Sequence, residues 1–297
     1  MSRIKSLKKS NLRLLAFDID GTLLNREGKV NPAVRERIIA LKDKGLYVTL
    51  ATGRIWDSVV ELKESLMLTE PLILHNGALI QEPEGGRIIS ARPIELAKNG
   101  ALIEFLMARE PDSLFCSLCR GEDQILYHRE PKHPWAKYFM ESYPEQVAEL
   151  DGRSLEKRPL LRILIYGELN SVQGLRDELQ EKDWGLKLLF FPGPERKNGY
   201  LEIFNQDCSK ASGLQLLCQR LGVKPREIIA FGDDVNDLEM LEYAGLGVAM
   251  ASAPSRVKDR ADLVISSSTG DDLEGVLDRY LLNKKTFKEE DPEYECL

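Results

Sequence analysis

The sequence predicts an α/β fold: a parallel-sheet core interrupted by an inserted α+β module. Residues 1–82 and 207–284, the predicted core, alternate short apolar runs with helical repeats. Residues 83–206, the predicted insert, instead carry longer apolar runs joined by tight turns. Alternating strands and helices predict parallel βαβ units, because parallel strands need a helical crossover between them.

The first core segment predicts strand, helix, strand, helix and strand in that order. The apolar run at 13–17 predicts the first strand, and an Asn-Pro start and a Gly stop bound the helical spacing of 31–45. The β-branched run at 46–52 predicts a second strand, 56–66 a helix, and 71–80 a further apolar element.

The insert predicts an antiparallel sheet with helices on one face. Residues 113–129 predict two strands joined by a tight Gly-containing turn, hence a hairpin. Strand 159–168 and helix 171–182 follow, and 186–204 predict another hairpin-like pair around the loop PGPERKNG.

The second core segment returns to the alternating pattern. It predicts, in order, a helix at 210–222, a strand at 227–233, a helix at 237–245 and short strands at 247–250 and 262–266. The charged residues 285–297 contain a proline and lack apolar periodicity, so we expect a mobile C-terminal tail.

Composition excludes several classes of function. The net charge of −7 argues against a nucleic-acid partner, which usually meets a basic surface. The basic opening MSRIKSLKKSNLR has no apolar region behind it, so no secretory signal is expected. No apolar run reaches the ~18 residues that span a bilayer, so no membrane partner is expected.

The cysteines indicate a reducing compartment. An odd, scattered set of five fits free thiols better than a disulfide framework, and the predicted location is therefore cytoplasmic. Cys116 and Cys119 form a C-x-x-C pair that no second pair or nearby histidine completes, so we expect core thiols within a strand.

Polar residues cluster where three predicted strands end and where one helix begins. These positions are Asp18 and Asp20, Thr52 to Arg54, Asp233 to Asp237, and Lys210. Ligands of parallel α/β sheets bind in the crevice outside the carboxyl ends of the strands. We therefore expect these side chains to converge on one small volume. Carboxylates at two strand ends call for a hard cation, and Mg²⁺ bound by carboxylates and a substrate phosphate fits them.

Each position also has an ordinary structural reading. Asp-Gly is a common turn signal, Thr52 is a suitable helix cap, and carboxylates such as Asp233 are favoured at helix N-termini by ~0.3–1 kcal/mol. Lys210 is more informative, because a lysine in the first helical turn meets the positive end of the helix dipole. A phosphate or an aspartate cluster beside Lys210 would compensate that charge.

Four ordered motifs carry a resemblance to a known family. DIDGTLL (18–24), VTLATGR (48–54), CSKASGL (208–214) and FGDDVNDLEML (231–241) resemble the motifs of the haloacid dehalogenase (HAD) superfamily of phosphohydrolases. The long insert, with LHNGALI before it and GYLEIFNQDCSK at its end, resembles the Cof-type subfamily with a type IIB cap. The resemblance implies a Rossmann-like core, an inserted α/β cap, and phosphatase activity.

The resemblance also implies catalytic roles. Asp18 would attack phosphorus and form an aspartyl-phosphate, while Asp20 would protonate the leaving oxygen and later deprotonate water. Their two-residue offset along an extended strand end places both carboxylates on the same side. Mg²⁺ would be held by Asp18, the main-chain carbonyl of Asp20, and Asp233, whereas Asp234 occupies a variable slot.

Phosphate-binding roles follow from the same resemblance. Thr52 and Lys210 would bind the phosphoryl oxygens, with the Gly53 backbone nearby and Asn236 within reach. Asp237 would orient Lys210 or a metal-bound water. Asn76 lies near the site entrance by the same analogy, and a structural role in its turn explains it equally well.

Other functions stay open at this stage. A signalling receiver domain also uses Asp, Thr, Lys and Mg²⁺, but its phosphorylated Asp lies mid-chain, whereas DIDGT comes first here. A phosphate-ester-binding regulator without turnover and a phosphomutase are further alternatives. The expected substrate is a small phosphorylated metabolite, such as a sugar phosphate. The insert offers five candidate contacts to the leaving group, each equally explained as structural: His128, His133, Trp135, Arg158 and Lys197.

Overall fold

A computed structural model describes residues 12–25, 27–109, 111–150, 158–182, 184–193, 195–265 and 271–281. The tail predicted for 285–297 and residues 1–11 lie outside these ranges. The chain divides into two compact units: residues 1–89 with 209–297, called the core unit here, and residues 90–208, called the cap unit.

The first part of the core unit follows the predicted order of elements. Its strands and helices are β1 (Leu14–Phe17), α1 (Pro32–Asp43), β2 (Tyr47–Leu50), α2 (Val60–Ser65), β3 (Leu72–Leu74), β4 (Leu79–Gln81) and β5 (Ile88–Ala91), of which the last two residues of β5 belong to the cap unit. Short 3-10 turns at Asp57–Val59 and His75–Gly77 precede α2 and β4. Helix α1 begins where the sequence predicts, because Asn31 accepts a hydrogen bond from the Ala33 N–H and Pro32 starts the first turn.

The cap unit supplies the next group of elements. They are α3 (Leu96–Arg109), β6 (Asp112–Cys119), β7 (Glu122–Tyr127), α4 (Pro134–Ser142), β8 (Val147–Glu149), β9 (Leu160–Glu168), α5 (Leu169–Glu181), β10 (Leu186–Pro192) and β11 (Asn198–Asn205). Arg120 and Gly121 both have positive φ between β6 and β7, as a tight hairpin turn requires.

The chain then re-enters the core unit. The remaining elements are α6 (Lys210–Leu221), β12 (Ile228–Gly232), α7 (Leu238–Tyr243), β13 (Leu246–Met250), α8 (Ser255–Lys258), β14 (Leu263–Ile265) and α9 (Asp271–Leu281). Another 3-10 turn, Pro225–Glu227, precedes β12.

A five-stranded parallel sheet organises the core unit, with the strand order β14-β13-β12-β1-β2. Strand β1 therefore lies between β12 and β2. Its residue Phe17 pairs with Phe231 of β12 and with Leu50 of β2. The Phe17 and Phe231 rings stack with centroids 4.6 Å apart. Because all five strands run in one direction, their carboxyl ends form one edge.

A six-stranded sheet organises the cap unit, in the order β10-β11-β9-β6-β7-β8. Its pairings are antiparallel, as predicted, except that β8 runs parallel to β7. Helices α3 and α5 bury Leu106 and Leu175 against one face of this sheet, next to Ile163. The α/β fold with a parallel core and a separate, largely antiparallel module is thereby confirmed.

The prediction that helices cover only one face of the cap sheet is wrong. Ile163 alternates with Arg162 along β9, so the two side chains point to opposite faces. Phe139 of α4 lies under the Arg162 guanidinium, and Trp135 of α4 makes an edge contact with Tyr200. Helix α4 therefore covers part of the face opposite to α3 and α5.

The C-x-x-C pair lies in strand β6, as predicted. Cys116 is buried and Cys119 is only partly buried, and both are free thiols. Residues three apart on a strand point to opposite faces, so this pair cannot ligate one metal ion. Among the described residues, no helix is long and apolar enough to cross a membrane.

Candidate active site

The centre of the site is Asp18, the first residue after β1. Its backbone N–H donates to the Phe231 carbonyl at 2.9 Å, which continues the β1–β12 pairing by one residue. The residue is 5% exposed. Because β12 is the neighbouring parallel strand and ends at Gly232, Asp233 emerges at the same edge.

Lys210 reaches this edge from the start of α6. Ser209 caps the helix and forms a reciprocal capping box with Ser212, which fixes where the first turn begins. The Nζ atom of the buried Lys210 donates to Oδ1 of Asp18 at 2.6 Å and to Oδ1 of Asp237 at 2.7 Å. Two carboxylates therefore compensate the cation that the helix dipole disfavours.

Asp237 also shapes the loop that carries Asp233. Its Oδ2 atom accepts hydrogen bonds from the backbone N–H groups of Asp233 and Asp234, both at 3.0 Å. A Cβ atom on Gly232 would lie 2.5 Å from the Asp237 side chain, so glycine is required there. One carboxylate thus fixes Lys210 on one side and the loop on the other.

Residues of the first motif, DIDGTLL, hold the Asp233 side chain in place. Thr22 Oγ1 donates to Oδ1 of Asp233 at 3.1 Å. Gly21 has a φ of 83°, and a Cβ atom there would lie 2.1 Å from Oδ2 of Asp233. The Asp-Gly-Thr sequence is therefore more than a turn signal, because its glycine makes room for the carboxylate and its threonine hydrogen-bonds it.

Electrostatics at this edge favour a cation. Burial raises the pKa of Asp18 well above its ordinary range, although the nearby Lys210 charge lowers it in part. Burial, and then repulsion from Asp237, raises the pKa of Asp233 to about 6. Burial lowers the pKa of Lys210, but attraction to Asp18 and Asp237 outweighs it, and the net pKa lies above the ordinary value.

The donor set fits a hard divalent cation. Asp18, Asp233 and Asp237 each offer a carboxylate oxygen, and these oxygens lie within 4.8 Å of one another. The pKa values of Asp18 and Asp233 are raised, which means that the negative charge of these two carboxylates lacks full compensation. All-oxygen ligation is the preference of Mg²⁺.

Asp20 has a different environment from Asp18. Strand β1 ends at Phe17 and the chain turns at Ile19, so the two-residue period of an extended strand no longer fixes the direction of Asp20. The Asp20 side chain is 63% exposed and forms a salt bridge with Arg54. The expectation that strand geometry places the Asp18 and Asp20 carboxylates on the same side therefore does not apply, because Asp20 lies beyond the extended strand.

Thr52, Gly53 and Asn236 meet around Asn76. Thr52 accepts a hydrogen bond from the Asn76 N–H through its carbonyl at 2.8 Å, and its Oγ1 accepts from the Arg54 N–H at 3.1 Å. A Cβ atom on Gly53 would lie 3.1 Å from Nδ2 of Asn76. Asn236 Nδ2 donates to Oδ1 of Asn76 at 3.0 Å.

Three residues of this edge were given no role, or an open one, from the sequence. Asn76 is buried with a φ of 52°, a left-handed conformation that Asn tolerates better than most residues. Thr22 and Arg54 stand inside the quoted motifs, so their position in DIDGT and TGR was the available signal. Their contacts depend on tertiary structure.

Four of the five cap candidates have contacts within the cap unit, and His128 is exposed. His133 caps α4 by accepting from the Trp135 N–H, and its ring packs against Trp135. Arg158 donates to the Gln124 side chain, and Lys197 pairs with Glu195 at 2.7 Å. His133 Nε2 stays buried without a hydrogen-bond partner among the described residues.

The carboxyl edge of the parallel sheet gathers a buried Asp–Lys pair and further aspartates. This arrangement is typical of hydrolases that transfer phosphoryl groups. The family model described as haloacid dehalogenase-like hydrolase matches residues 15–278. The chain therefore belongs to the haloacid dehalogenase-like hydrolase family, and the resemblance drawn from the four motifs is confirmed.

Curated relatives extend over nearly the whole chain. It is 30% identical to the 5-amino-6-(5-phospho-D-ribitylamino)uracil phosphatase YitU of Bacillus subtilis, over 90% of this chain and 97% of that one. It is 27% identical to the pyridoxal phosphate phosphatase YbhA of Escherichia coli, over 88% and 96%. These relatives are named phosphatases.

A solved structure shows the same fold. The HAD subclass IIB sugar phosphatase BT4131 superposes with a TM-score of 0.73 at 21% identity, covering 90% of this chain and 98% of that one. At this identity the likeness shows the fold alone.

Proposed function

We propose that this protein is a Mg²⁺-dependent phosphatase that hydrolyses a small phosphate monoester through an aspartyl-phosphate on Asp18. The observation that carries the proposal is the buried Asp18–Lys210 contact of 2.6 Å, formed beside Asp233 and Asp237 at the carboxyl edge of the sheet. A buried carboxylate next to a fixed ammonium group is an oriented nucleophile with a positive charge where phosphoryl oxygens would lie.

In the first half-reaction an oxygen of Asp18 attacks phosphorus. The bond from phosphorus to the ester oxygen breaks, and Asp20 gives its proton to that oxygen, so that a neutral alcohol leaves. In the second half-reaction Asp20 takes a proton from water, the water oxygen attacks phosphorus, and the bond to Asp18 breaks. Inorganic phosphate and the original Asp18 and Asp20 result.

Binding of the phosphoryl group falls to Lys210, Thr52, Gly53 and Asn236. Lys210 provides the fixed positive charge, and Asp237 holds it at 2.7 Å. Thr52 and the Gly53 backbone follow β2, next to β1, and Asn236 lies in the loop after β12. Preorganised donors of this kind stabilise the charge that develops on the equatorial oxygens.

The residues proposed to hold Mg²⁺ are Asp18, Asp233 and the main-chain carbonyl of Asp20. When bound, the ion would act as a Lewis acid that neutralises charge on the phosphoryl oxygens. Asp237 contributes to the same oxygen cluster. Its hydrogen bonds to Lys210 and to the loop N–H groups favour an orienting role over ligation.

A small phosphorylated metabolite, a sugar phosphate or a similar ester, is the proposed substrate. The named relatives act on the phosphates of a ribitylamino-uracil and of pyridoxal, which supports a small organic leaving group. The proposed location is the cytoplasm, in keeping with the free thiols of the four described cysteines.

Release of phosphate from p-nitrophenyl phosphate tests the proposal. Purified protein should release phosphate with Mg²⁺ and lose this activity with a chelator, and Asp18→Asn should abolish it. Asp234→Asn, at the variable slot, serves as the matched carboxylate control and should stay active. An inactive wild type across a broad panel of phosphate esters, combined with ester binding by calorimetry, would instead indicate a binding protein without turnover.

A further inference from the structure

The side chain of Arg54 makes a two-point contact with the Asp20 carboxylate. Arg54 Nε donates to Oδ2 at 2.9 Å, and Nη2 donates to Oδ1 at 2.6 Å. Both carboxylate oxygens are therefore engaged by one planar group. A guanidinium fork of this kind fixes the orientation of a carboxylate, whereas a lysine would supply only a point charge.

Arg54 is itself held in place by the loop after β2. Its backbone N–H donates to Thr52 Oγ1 at 3.1 Å, and Nη1 donates to the Ser58 carbonyl at 3.1 Å. Three nitrogen atoms of the guanidinium thus have assigned partners. The orientation of Asp20 is consequently set by the segment that carries Thr52, a proposed phosphoryl-binding residue.

Stability alone gives a weak reason for this contact. The Arg54 and Asp20 side chains are 30% and 63% exposed, and ion pairs in such settings contribute little to folding. Their geometry has a clearer consequence, because a general acid acts only when its oxygen is within hydrogen-bond reach of the group it protonates. Strand geometry does not set the direction of Asp20, since β1 ends at Phe17.

We propose that Arg54 is a positioning residue for the reaction, which holds Asp20 in the orientation from which it protonates the leaving oxygen. This inference rests on the proposed function. It assigns to Arg54 a role that acts through Asp20, and it links the second motif of the chain to proton transfer as well as to phosphoryl binding. The two-point contact is the feature that the role requires.

The experiment compares phenyl phosphate with p-nitrophenyl phosphate, whose leaving groups are similar in size. Nitrophenolate leaves readily without a proton, whereas phenolate depends more on protonation. In Arg54→Ala, kcat/KM for phenyl phosphate should fall on the order of 10²-fold, the scale of general acid catalysis. For p-nitrophenyl phosphate the fall should be much smaller, and Arg54→Lys should give an intermediate ratio.

Arg87→Ala is the matched control. Arg87 makes the same kind of two-point contact, with Glu82 at 2.9 and 2.5 Å, and neither residue has a proposed role in the reaction. Its loss should leave kcat/KM for both esters unchanged. Thermal unfolding of each variant establishes that it is folded. If Arg54→Ala does not fold, the ratio of the two kcat/KM values in Arg54→Lys serves as the test.

Three results would overturn the inference. Equal losses for the two esters would mean a merely structural contact, and an equal rise in KM at constant kcat would mean direct substrate binding. Unchanged kcat and KM values would mean that the Arg54–Asp20 contact has no role in the reaction. In each case the wild type is active, so the proposed function survives. A wild type inactive on both esters, and on the broader panel, removes the proposed function itself.

Discussion

The Nζ atom of Lys210 lies 2.6 Å from Oδ1 of Asp18, and both side chains are buried. The lysine is the first residue of a helix, and the aspartate is the first residue after a strand from the opposite end of the chain. Their contact brings the two core segments together at one point. Asp237 shares the same ammonium group, so a single cation pairs with two buried carboxylates.

We expect Lys210→Met to destabilise the protein strongly. Breaking a buried ion pair typically costs about 3–5 kcal/mol, because the remaining charge stays buried without its partner. Urea unfolding in the presence of a chelator measures the loss. Adding Asp18→Asn to Lys210→Met should recover part of it, since one uncompensated carboxylate disappears. Strictly additive losses in this double-mutant cycle would contradict coupling between the two residues.

Asp237→Asn should lower kcat while the fold is kept. The carboxylate accepts from Lys210 through Oδ1 and from the loop N–H groups of Asp233 and Asp234 through Oδ2. An amide can accept on only one of these sides, so either Lys210 or the loop moves. A shift of about 1 Å in such a site costs on the order of 10²-fold. Steady-state kinetics on p-nitrophenyl phosphate give the value.

Asp234→Asn is the comparison for that variant. Its Oδ1 accepts only a local hydrogen bond from the Val235 N–H among the contacts described, and it has no bond to Lys210. We expect kcat close to the wild-type value. Equal losses in the two variants would mean that the charge of the loop, rather than the two-sided contact of Asp237, supports the rate.

The alternation of strands and helices was predictable because apolar periodicity reports local burial. The chain order does not reveal that β1 lies between β12 and β2, which is what brings Asp18 beside Asp233. Grouping the polar residues at strand ends was possible only because parallel strands share a carboxyl edge. The motifs thus indicated the region, and the sheet order determines which residues touch.

Contacts between side chains that lie far apart in the sequence could not be predicted from the sequence. Arg54 reaches Asp20, 34 positions earlier, and Asn236 reaches Asn76, 160 positions earlier. Such pairs leave no periodic signal. Helix α4 was not predicted from the sequence, and only packing decides which face of the cap sheet such a short helix covers. Local patterns predict elements, whereas tertiary distances determine these partners.

Gly21→Ala should cost more stability than Gly28→Ala. Both residues have positive φ, 83° and 74°, so both substitutions carry the strain of the left-handed conformation, about 1–2 kcal/mol. A Cβ atom at Gly28 meets nothing within 4 Å, whereas at Gly21 it would lie 2.1 Å from Oδ2 of Asp233. Overpacking adds about 1–3 kcal/mol at Gly21.

The glycine pair is measured by urea unfolding and by Mg²⁺ titration of phosphatase activity. Gly21→Ala should require more Mg²⁺ for half-maximal activity, because the Asp233 carboxylate must move. Gly28→Ala should keep the wild-type requirement. Identical unfolding free energies for the two variants would show that the Asp233 side chain moves aside without strain.

Asn76→Gly and Asn76→Ala separate the side chain of Asn76 from its backbone. Both remove the acceptor of the Asn236 Nδ2 hydrogen bond, which is 3.0 Å long. The proposed phosphate contact of Asn236 should weaken in both, raising the inhibition constant of inorganic phosphate about tenfold, the equivalent of one hydrogen bond. Because φ at Asn76 is 52°, only Asn76→Ala should also lose stability through strain.

Competitive inhibition by phosphate and thermal unfolding together check this pair. An unchanged inhibition constant in both variants would mean that Asn76 serves the turn alone. A weaker phosphate affinity in Asn76→Ala but not in Asn76→Gly would assign the effect to backbone strain instead of the amide. The expected pattern is equal inhibition constants and unequal stabilities.

The metal-free protein should become more stable as the pH falls from 7 towards 4, in part through Asp233. Burial raises the pKa of this carboxyl from 3.8 to about 6 in the folded state. The folded state therefore binds the proton more tightly than the unfolded chain does, so its deprotonated form is disfavoured. This cost is fully present above pH 6 and fades as the pH falls towards the unfolded value. Each unit of difference corresponds to about 1.4 kcal/mol, so the contribution is a few kcal/mol at most.

Urea unfolding of wild type and Asp233→Asn between pH 4 and 8, with a chelator present, isolates this contribution. Other carboxyl groups titrate in both proteins, so the difference between the two curves reports on Asp233. We expect Asp233→Asn to be the more stable protein at pH 7 and to lose that advantage at low pH. Saturating Mg²⁺ should remove most of the advantage at pH 7, because a bound cation compensates the carboxylate that asparagine lacks. A difference that is independent of pH and of Mg²⁺ would show that the Asp233 carboxyl carries no unbalanced charge.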